Sequence, residues 1–405
     1  MTRLGLSGGV VLLALLLLPF SFGNASTTSQ KTPQGKQKAE GTKQKAEGTK
    51  QKAAVRRIHR TRKVVTAAKK VTPKMRRRST RKARDSRSYG DSAAGDSMNG
   101  EDLVVRQAAV EALGPLNGSV VVVDPNSGRA LSIVNQKLAM SGGEQPCSTI
   151  KLPVALAALS EGLITRDTQI RLNRRLSMNL TEALARSDNK FFEQLGRQMG
   201  FEKLSQYASQ FGFGELAGYQ ISGEKPGTFP AEPPRYGGVA RMSSFGEEIS
   251  VTPLQMAAFV SAVGNGGTLY YLQRPRTPED LENFQPRVKR QLNVQPLLAD
   301  LREGMMAAVD YGTGRRAALP FDTVLGKTGT CNHDGWHLGW FASYQGNREA
   351  RLAVVVLLRG GRLSSGSHAS EVAGHVYRNL HERNYFATLS TPPTVLAGDT
   401  SAVVR

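Results

Sequence analysis

The sequence predicts an α+β domain, an antiparallel sheet flanked by helices and carrying an inserted helical subdomain. Three observations predict it. Short β-rich runs lie near both ends of the stretch from Asp102 to Tyr385. Helical patterns fill the interval between them. The basic charge of the chain sits outside that stretch, which leaves a near-neutral sequence long enough to bury a sizeable core.

The elements follow in chain order. Asp102 to Leu113 has helical spacing, with Asp102 placed to open it. Ser119 to Asp124 and Arg129 to Val134 read as strands, joined by the turn Pro125-Asn-Ser-Gly128. Ser148 to Leu163 is an apolar helix, and Thr181 to Gly200 is helical with a break near Ser187. Phe201 to Gly223 mixes short helix and loop. Thr252 to Val263 is a helix ended by Gly264-Asn-Gly-Gly267, and Gln295 to Val309 is another. Three strands come next: Thr323 to Thr330, His337 to Tyr344 and Arg351 to Leu358, with an antiparallel hairpin expected at 338–357. Ser367 to Glu382 closes the domain as a helix.

Charge sets the domain limits. The net charge is +21, and 22 basic against 3 acidic residues between Lys31 and Arg87 account for +19 of it. Residues 26–101 therefore read as a disordered basic tail, 102–385 as the folded domain and 386–405 as a disordered C-terminal tail. The unit Lys-Gln-Lys-Ala-Glu-Gly-Thr occurs at 36–42 and again at 43–49 with no apolar seam, so it is not a coiled coil. The tail is expected to be a solvated tether or to touch an anionic envelope surface. Nucleic acid is disfavoured, because no aromatic residue is interleaved to stack on bases. At the N-terminus, Arg3, the apolar run Val10 to Leu18, Pro19 and Gly23-Asn24-Ala25 make residues 1–25 an export signal or a retained membrane anchor. The basic flank on the translocated side opposes that reading. The chemistry below requires an exported, extracytoplasmic address.

A Ser-x-x-Lys pair sets a hydroxyl and an amine one helical turn apart. A desolvated lysine loses basicity and can then accept the serine proton. Four pairs fit: Ser79/Lys82, Ser148/Lys151, Ser187/Lys190 and Ser222/Lys225. The first lies in the basic tail and the last in a loop beside Pro226. Only Ser148/Lys151 opens an apolar helix, whose N-terminal dipole favours an anion at the serine. Two further motifs follow in order. Ser187-Asp-Asn189 offers a hydroxyl to relay a proton and an amide to bond a substrate peptide. Ser177-Met-Asn179 has the same spacing, but Ser187 sits where a helix pauses. Lys327-Thr-Gly-Thr330 ends a strand and offers a cation, hydroxyls and close backbone approach, which suit an extended peptide ending in a carboxylate.

This ordered set resembles penicillin-binding proteins and class A β-lactamases. From about residue 119 to 378 the chain resembles the penicillin-binding transpeptidase domain. Supporting stretches are Leu180 to Asn189, Asp124 to Gly128, Ser250 to Ala257, Asn265-Gly-Gly267 and Gly312-Thr-Gly314. The resemblance implies that Ser148 attacks a D-alanyl-D-alanine amide with Lys151 as base. It implies that Ser187 helps protonate the leaving amine, that Lys327, Thr328 and Thr330 hold the carboxylate beside Gly329, and that the Ser148 and Thr330 N–H groups form the oxyanion hole. Cys147 stands where the family usually has glycine, and Cys331 follows the third motif. They are the only two cysteines. Because the resemblance places the serine helix against that strand, it implies a Cys147–Cys331 disulfide; two inert buried thiols are the alternative.

The resemblance implies a D,D-transpeptidase or carboxypeptidase acting on peptidoglycan stem peptides and trapped by β-lactams as inhibitors. A serine β-lactamase and a non-catalytic β-lactam or peptidoglycan sensor are the alternatives. A class A β-lactamase places a glutamate in a Glu-x-x-x-Asn loop, whereas Glu224 is followed four residues later by Thr228. Glu224 to Pro230 instead resembles the Glu-x-x-Gly-x-x-Pro element of transpeptidases. No cofactor or metal is expected: His333 and His337 are read onto a loop and a strand, where their spacing does not converge. Trp336 and Trp340 read as core or rim aromatics.

Overall fold

The computed structural model describes residues 86–346 and 350–389. The expected signal or anchor, the repeats, the Ser79/Lys82 pair and the C-terminal residues beyond 389 lie outside the described residues. Among the described residues, no helix is long and apolar enough to cross a membrane.

Five strands form the main sheet: β1 (Gly118–Val123), β2 (Ala130–Val134), β3 (Val324–His333), β4 (Trp336–Gln345) and β5 (Leu352–Gly360). Their order is β2-β1-β5-β4-β3, and every pairing is antiparallel. Strand β1 is buried along its length because both faces are covered. Its alternation divides the core: Val121 and Val123 join the cluster under the helical subdomain, and Val120 and Val122 join the one under the outer helices. Those outer helices are α1 (Leu103–Leu113) and the closing helix, Gly366–Glu382.

Between β2 and β3 lie α2 (Lys151–Ser160), α3 (Leu180–Arg186), α4 (Asn189–Gln210), α5 (Gly238–Phe245), α6 (Pro253–Gly264) and α7 (Leu298–Asp310). The closing helix is α8. Helix α6 is buried on every side, as its predominantly apolar sequence demands. Its start is set by a capping box between Thr252 and Gln255, worth about 1 kcal/mol.

Several expected limits move. Residues 86–101, assigned by charge to the basic tail, belong to the folded domain. Ser88 receives a hydrogen bond from the Gly361 N–H at 3.0 Å, and buried Asp96 and Glu101 receive the Arg106 guanidinium at 2.8 and 3.3 Å. The basic run stops at Arg87, and the following residues carry the carboxylates that Arg106 needs. At the other end, the helix Tyr385–Leu389 carries structure past residue 385. Strand β3 runs on to His333, so that histidine is on a strand and not a loop. The serine helix opens as a 3-10 turn, Cys147–Ile150, before α2 begins at Lys151. Helix α4 continues to Gln210 across a kink at Gly200, whose φ is 76°. The sequence reading missed α5 and the small hairpin pairing Thr268–Tyr270 with Val288–Gln291.

Candidate active site

The fold brings the three motifs to one point. The turn Cys147–Ile150 sits against edge strand β3. A Cβ built on Gly329 would lie 2.9 Å from the Pro146 carbonyl and 3.2 Å from the Thr149 N–H nitrogen, so only glycine permits this approach. The Cys147–Cys331 disulfide spans the same contact, with Cα atoms 5.6 Å apart. Cys147 has φ 52°, a left-handed conformation that suits the glycine usual in the resembled family.

Lys151 enters from the first turn of α2 and is fully buried. Its Nζ lies 2.9 Å from Ser148 Oγ, 2.8 Å from the Ser187 carbonyl, 2.6 Å from Asn189 Oδ1 and 3.3 Å from Ser187 Oγ. A neutral amine has two N–H bonds and one lone pair. The Ser187 carbonyl and Asn189 Oδ1 take the two N–H bonds, which leaves the lone pair for the Ser148 hydroxyl. Burial lowers the Lys151 pKa from 10.5 to about 7, against the raising influence of Asp188 and Glu193. Phe192 and Phe245 place ring centroids 5.7 and 6.0 Å from the amine and contribute to its dry surroundings.

Local backbone signals place Ser187 and Asn189. Ser187 ends α3 in the left-handed region, with φ 56° and ψ 41°. Asp188 then caps α4, accepting from the Phe191 N–H at 2.9 Å. The reversal turns the Ser187 carbonyl and hydroxyl and the Asn189 amide toward one amine. Lys327, also fully buried, donates from Nζ to Ser187 Oγ at 2.8 Å and to the Thr328 carbonyl at 2.9 Å. Burial, and then the charge of Lys151, hold Lys327 well below its ordinary pKa. Ser187 Oγ thus bridges two amines. Thr328 Oγ1 lies 2.6 Å from Thr313 Oγ1, and Thr330 Oγ1 accepts from the Gly366 N–H at 2.8 Å.

The competing matches go elsewhere. Ser177 lies in a two-residue strand, and Asn179 caps α3 through the Glu182 N–H at 3.0 Å. Lys190 is exposed, and Lys225 donates its N–H to the Met140 carbonyl. Glu224 accepts the N–H groups of Ala217 and Gly218 at 2.7 and 2.9 Å, so both carboxylate oxygens brace a loop. Trp340 is fully buried and donates from Nε1 to the Gln145 carbonyl at 2.9 Å. The sequence reading missed Phe245 and Gln145, which donates from Nε2 to the Phe245 carbonyl at 3.0 Å. Gly246, which ends α5 at φ 68°, was the available signal for that helix.

Comparison with known proteins agrees with the fold. A family model described as the penicillin binding protein transpeptidase domain matches residues 118–382. The chain is 30% identical over 311 residues to stage V sporulation protein D of Bacillus subtilis strain 168, covering 66% of this chain and 48% of that protein. It is 26% identical over 303 residues to the peptidoglycan D,D-transpeptidase FtsI of Escherichia coli K12, covering 64% and 50%. The chain thus spans about half the length of these curated relatives. The transpeptidase domain of penicillin-binding protein 3 from Burkholderia pseudomallei superposes with a TM-score of 0.61 at 19% identity, covering 72% of this chain and 95% of that one.

Proposed function

The chain belongs to the penicillin-binding protein transpeptidase family, and from that premise we propose that it is an exported serine D,D-transpeptidase acting on peptidoglycan stem peptides through an acyl-enzyme at Ser148. One observation carries the reading: a buried lysine whose Nζ lies within hydrogen-bond distance of two fixed acceptors, the Ser187 carbonyl and Asn189 Oδ1, and 2.9 Å from Ser148 Oγ.

Lys151 accepts the Ser148 proton as Oγ bonds to the carbonyl carbon of the penultimate D-alanine. The Ser148 and Thr330 N–H groups receive the developing oxyanion. Lys327 and the Thr328 and Thr330 hydroxyls hold the terminal carboxylate. The C–N bond then breaks, and Ser187 passes a proton to the departing amine and recovers one from its lysine neighbours. An acceptor amine next attacks the ester, its proton returns along the same path, and Ser148 is released. Water in place of the amine would make the reaction a carboxypeptidation. The double use of Glu224 as a loop brace argues against the β-lactamase alternative, which needs a free base for fast deacylation. β-Lactams are expected to acylate Ser148 and remain bound.

Fluorescent penicillin tests the reading. Wild type is expected to label stoichiometrically and Ser148→Ala not at all. Equal labelling of the variant would move the nucleophile elsewhere, and rapid steady turnover of the penicillin would favour a β-lactamase.

A further inference from the structure

Cys147 holds a backbone conformation that its residue type does not favour. Its φ of 52° lies in the left-handed region, where a Cβ is crowded by the following carbonyl oxygen. Glycine tolerates that region because it lacks a Cβ, and asparagine or aspartate because a short polar side chain can bond to the local backbone. Cysteine has neither property. The chain on both sides is fixed. The Gln145 carbonyl accepts from Trp340 Nε1 at 2.9 Å, and Gln145 Nε2 donates to the Phe245 carbonyl at 3.0 Å. A Cβ built on Gly246 would lie 2.5 Å from Pro146 Cγ, so the proline is packed close against that backbone. The Pro146 carbonyl accepts from the Thr149 N–H at 3.1 Å, which closes the turn that carries Ser148. Between these anchors the change of direction falls on Cys147.

The disulfide ties this residue to a strand that is itself held in place. Cys331 lies in β3 opposite Leu338 of β4, and its neighbour Thr330 is fixed through the Gly366 N–H at 2.8 Å. The Cα atoms of the two cysteines are 5.6 Å apart. The bond stands beside both groups proposed to receive the oxyanion: the Ser148 N–H directly follows Cys147, and the Thr330 N–H directly precedes Cys331. The torsion angles on either side of the Cys147–Ser148 peptide set the direction of the Ser148 N–H. Relaxation of Cys147 out of the left-handed region would therefore turn that donor away. Backbone strain of this kind persists only where the surroundings over-determine it.

We infer that Cys147 and Cys331 are positioning residues for acyl transfer: their disulfide holds Cys147 left-handed and so keeps the Ser148 N–H directed at the oxyanion. In this chain a covalent bond does what the freedom of glycine does at the same place in the family. This role rests on the transpeptidase reading above, and it concerns the rate of acylation as well as the stability of the fold.

The test uses the full chain and benzylpenicillin. Stopped-flow acylation separates the rate constant of the chemical step from the constant for initial binding. Cys147→Gly/Cys331→Ser and Cys147→Ser/Cys331→Ser both lack the bond, and both are expected to unfold at lower urea than wild type. Only the first can hold φ near 52° without strain. It is expected to acylate about ten- to a hundredfold faster than the second, with the same initial binding, as for partial loss of one oxyanion donor. Cys147→Asn/Cys331→Ser is expected to fall between them, since asparagine tolerates the left-handed region. If Cys147→Ser/Cys331→Ser does not fold, the other two variants carry the comparison. Equal acylation rates among the folded variants, or a reversed order, overturn the positioning role and leave the transpeptidase reading standing. Absence of penicillin acylation in wild type overturns that reading and the role with it.

Discussion

Titrating the amine of Lys151 perturbs the proposed chemistry at its source. Burial moves that amine from a pKa of 10.5 to about 7. At neutral pH a lysine at its ordinary value is deprotonated only about once in three thousand molecules, so the shift raises the reactive form by on the order of 10³-fold. The reactive form is the free base, and its population is lost as pH falls through about 7. The second-order rate of Ser148 acylation by benzylpenicillin, followed by stopped flow, should therefore rise about tenfold per pH unit below neutrality and level off above it. As pH rises, Lys327, itself held well below its ordinary value by burial, loses the charge proposed to hold the carboxylate, which opposes that gain. The two amines share Ser187 Oγ, so both effects belong to the pair. Lys151→Ala should remove on the order of 10²–10⁴ of the rate and abolish the acid limb. A rate independent of pH from 5 to 9, or an acid limb unchanged in Lys151→Ala, would refute this assignment.

The disulfide closes a loop across a sequence separation of 184, and the chain-entropy model assigns it about 5 kcal/mol. Urea unfolding of Cys147→Ser/Cys331→Ser should show a loss approaching that value, and unchanged stability would contradict it. Gly329→Ala places a Cβ 2.9 Å from the Pro146 carbonyl, so thermal unfolding should show about 1–3 kcal/mol of destabilisation. Penicillin acylation should slow with it, since the displaced backbone carries the proposed nucleophile; full activity would contradict the close approach. Glu224→Gln weakens a brace on two N–H groups and should cost about 1–2 kcal/mol. It should leave the lifetime of the penicilloyl-enzyme unchanged, and a lifetime lengthened by orders of magnitude would make Glu224 a deacylating base.

The sheet strands and the motif residues were legible because each carries a local signal. β1 and β5 are apolar runs between turns, and Ser148/Lys151 was separable from its three rivals by the apolar helix that follows it. What the sequence left out depends on partners far along the chain. The residues around Asp96 look like a tail until Arg106 is seen to need their carboxylates. Strand β3 outruns its apolar pattern because pairing with β4 continues from Thr330 to His333 through polar residues. Helix α5 is short and carries two serines and an arginine, yet it delivers Phe245 to the buried amine. The left-handed turn at Ser187 was visible only as a pause in helical pattern, and its consequence is three-dimensional: two fixed acceptors for the N–H bonds of Lys151.

The most direct measurement is mass spectrometric mapping of the protein after brief exposure to benzylpenicillin. A single adduct on the peptide bearing Ser148, absent from Ser148→Ala and formed far more slowly by Lys151→Ala, is the predicted result. An adduct on any other residue, or one that forms at the same rate without the amine of Lys151, would contradict the account.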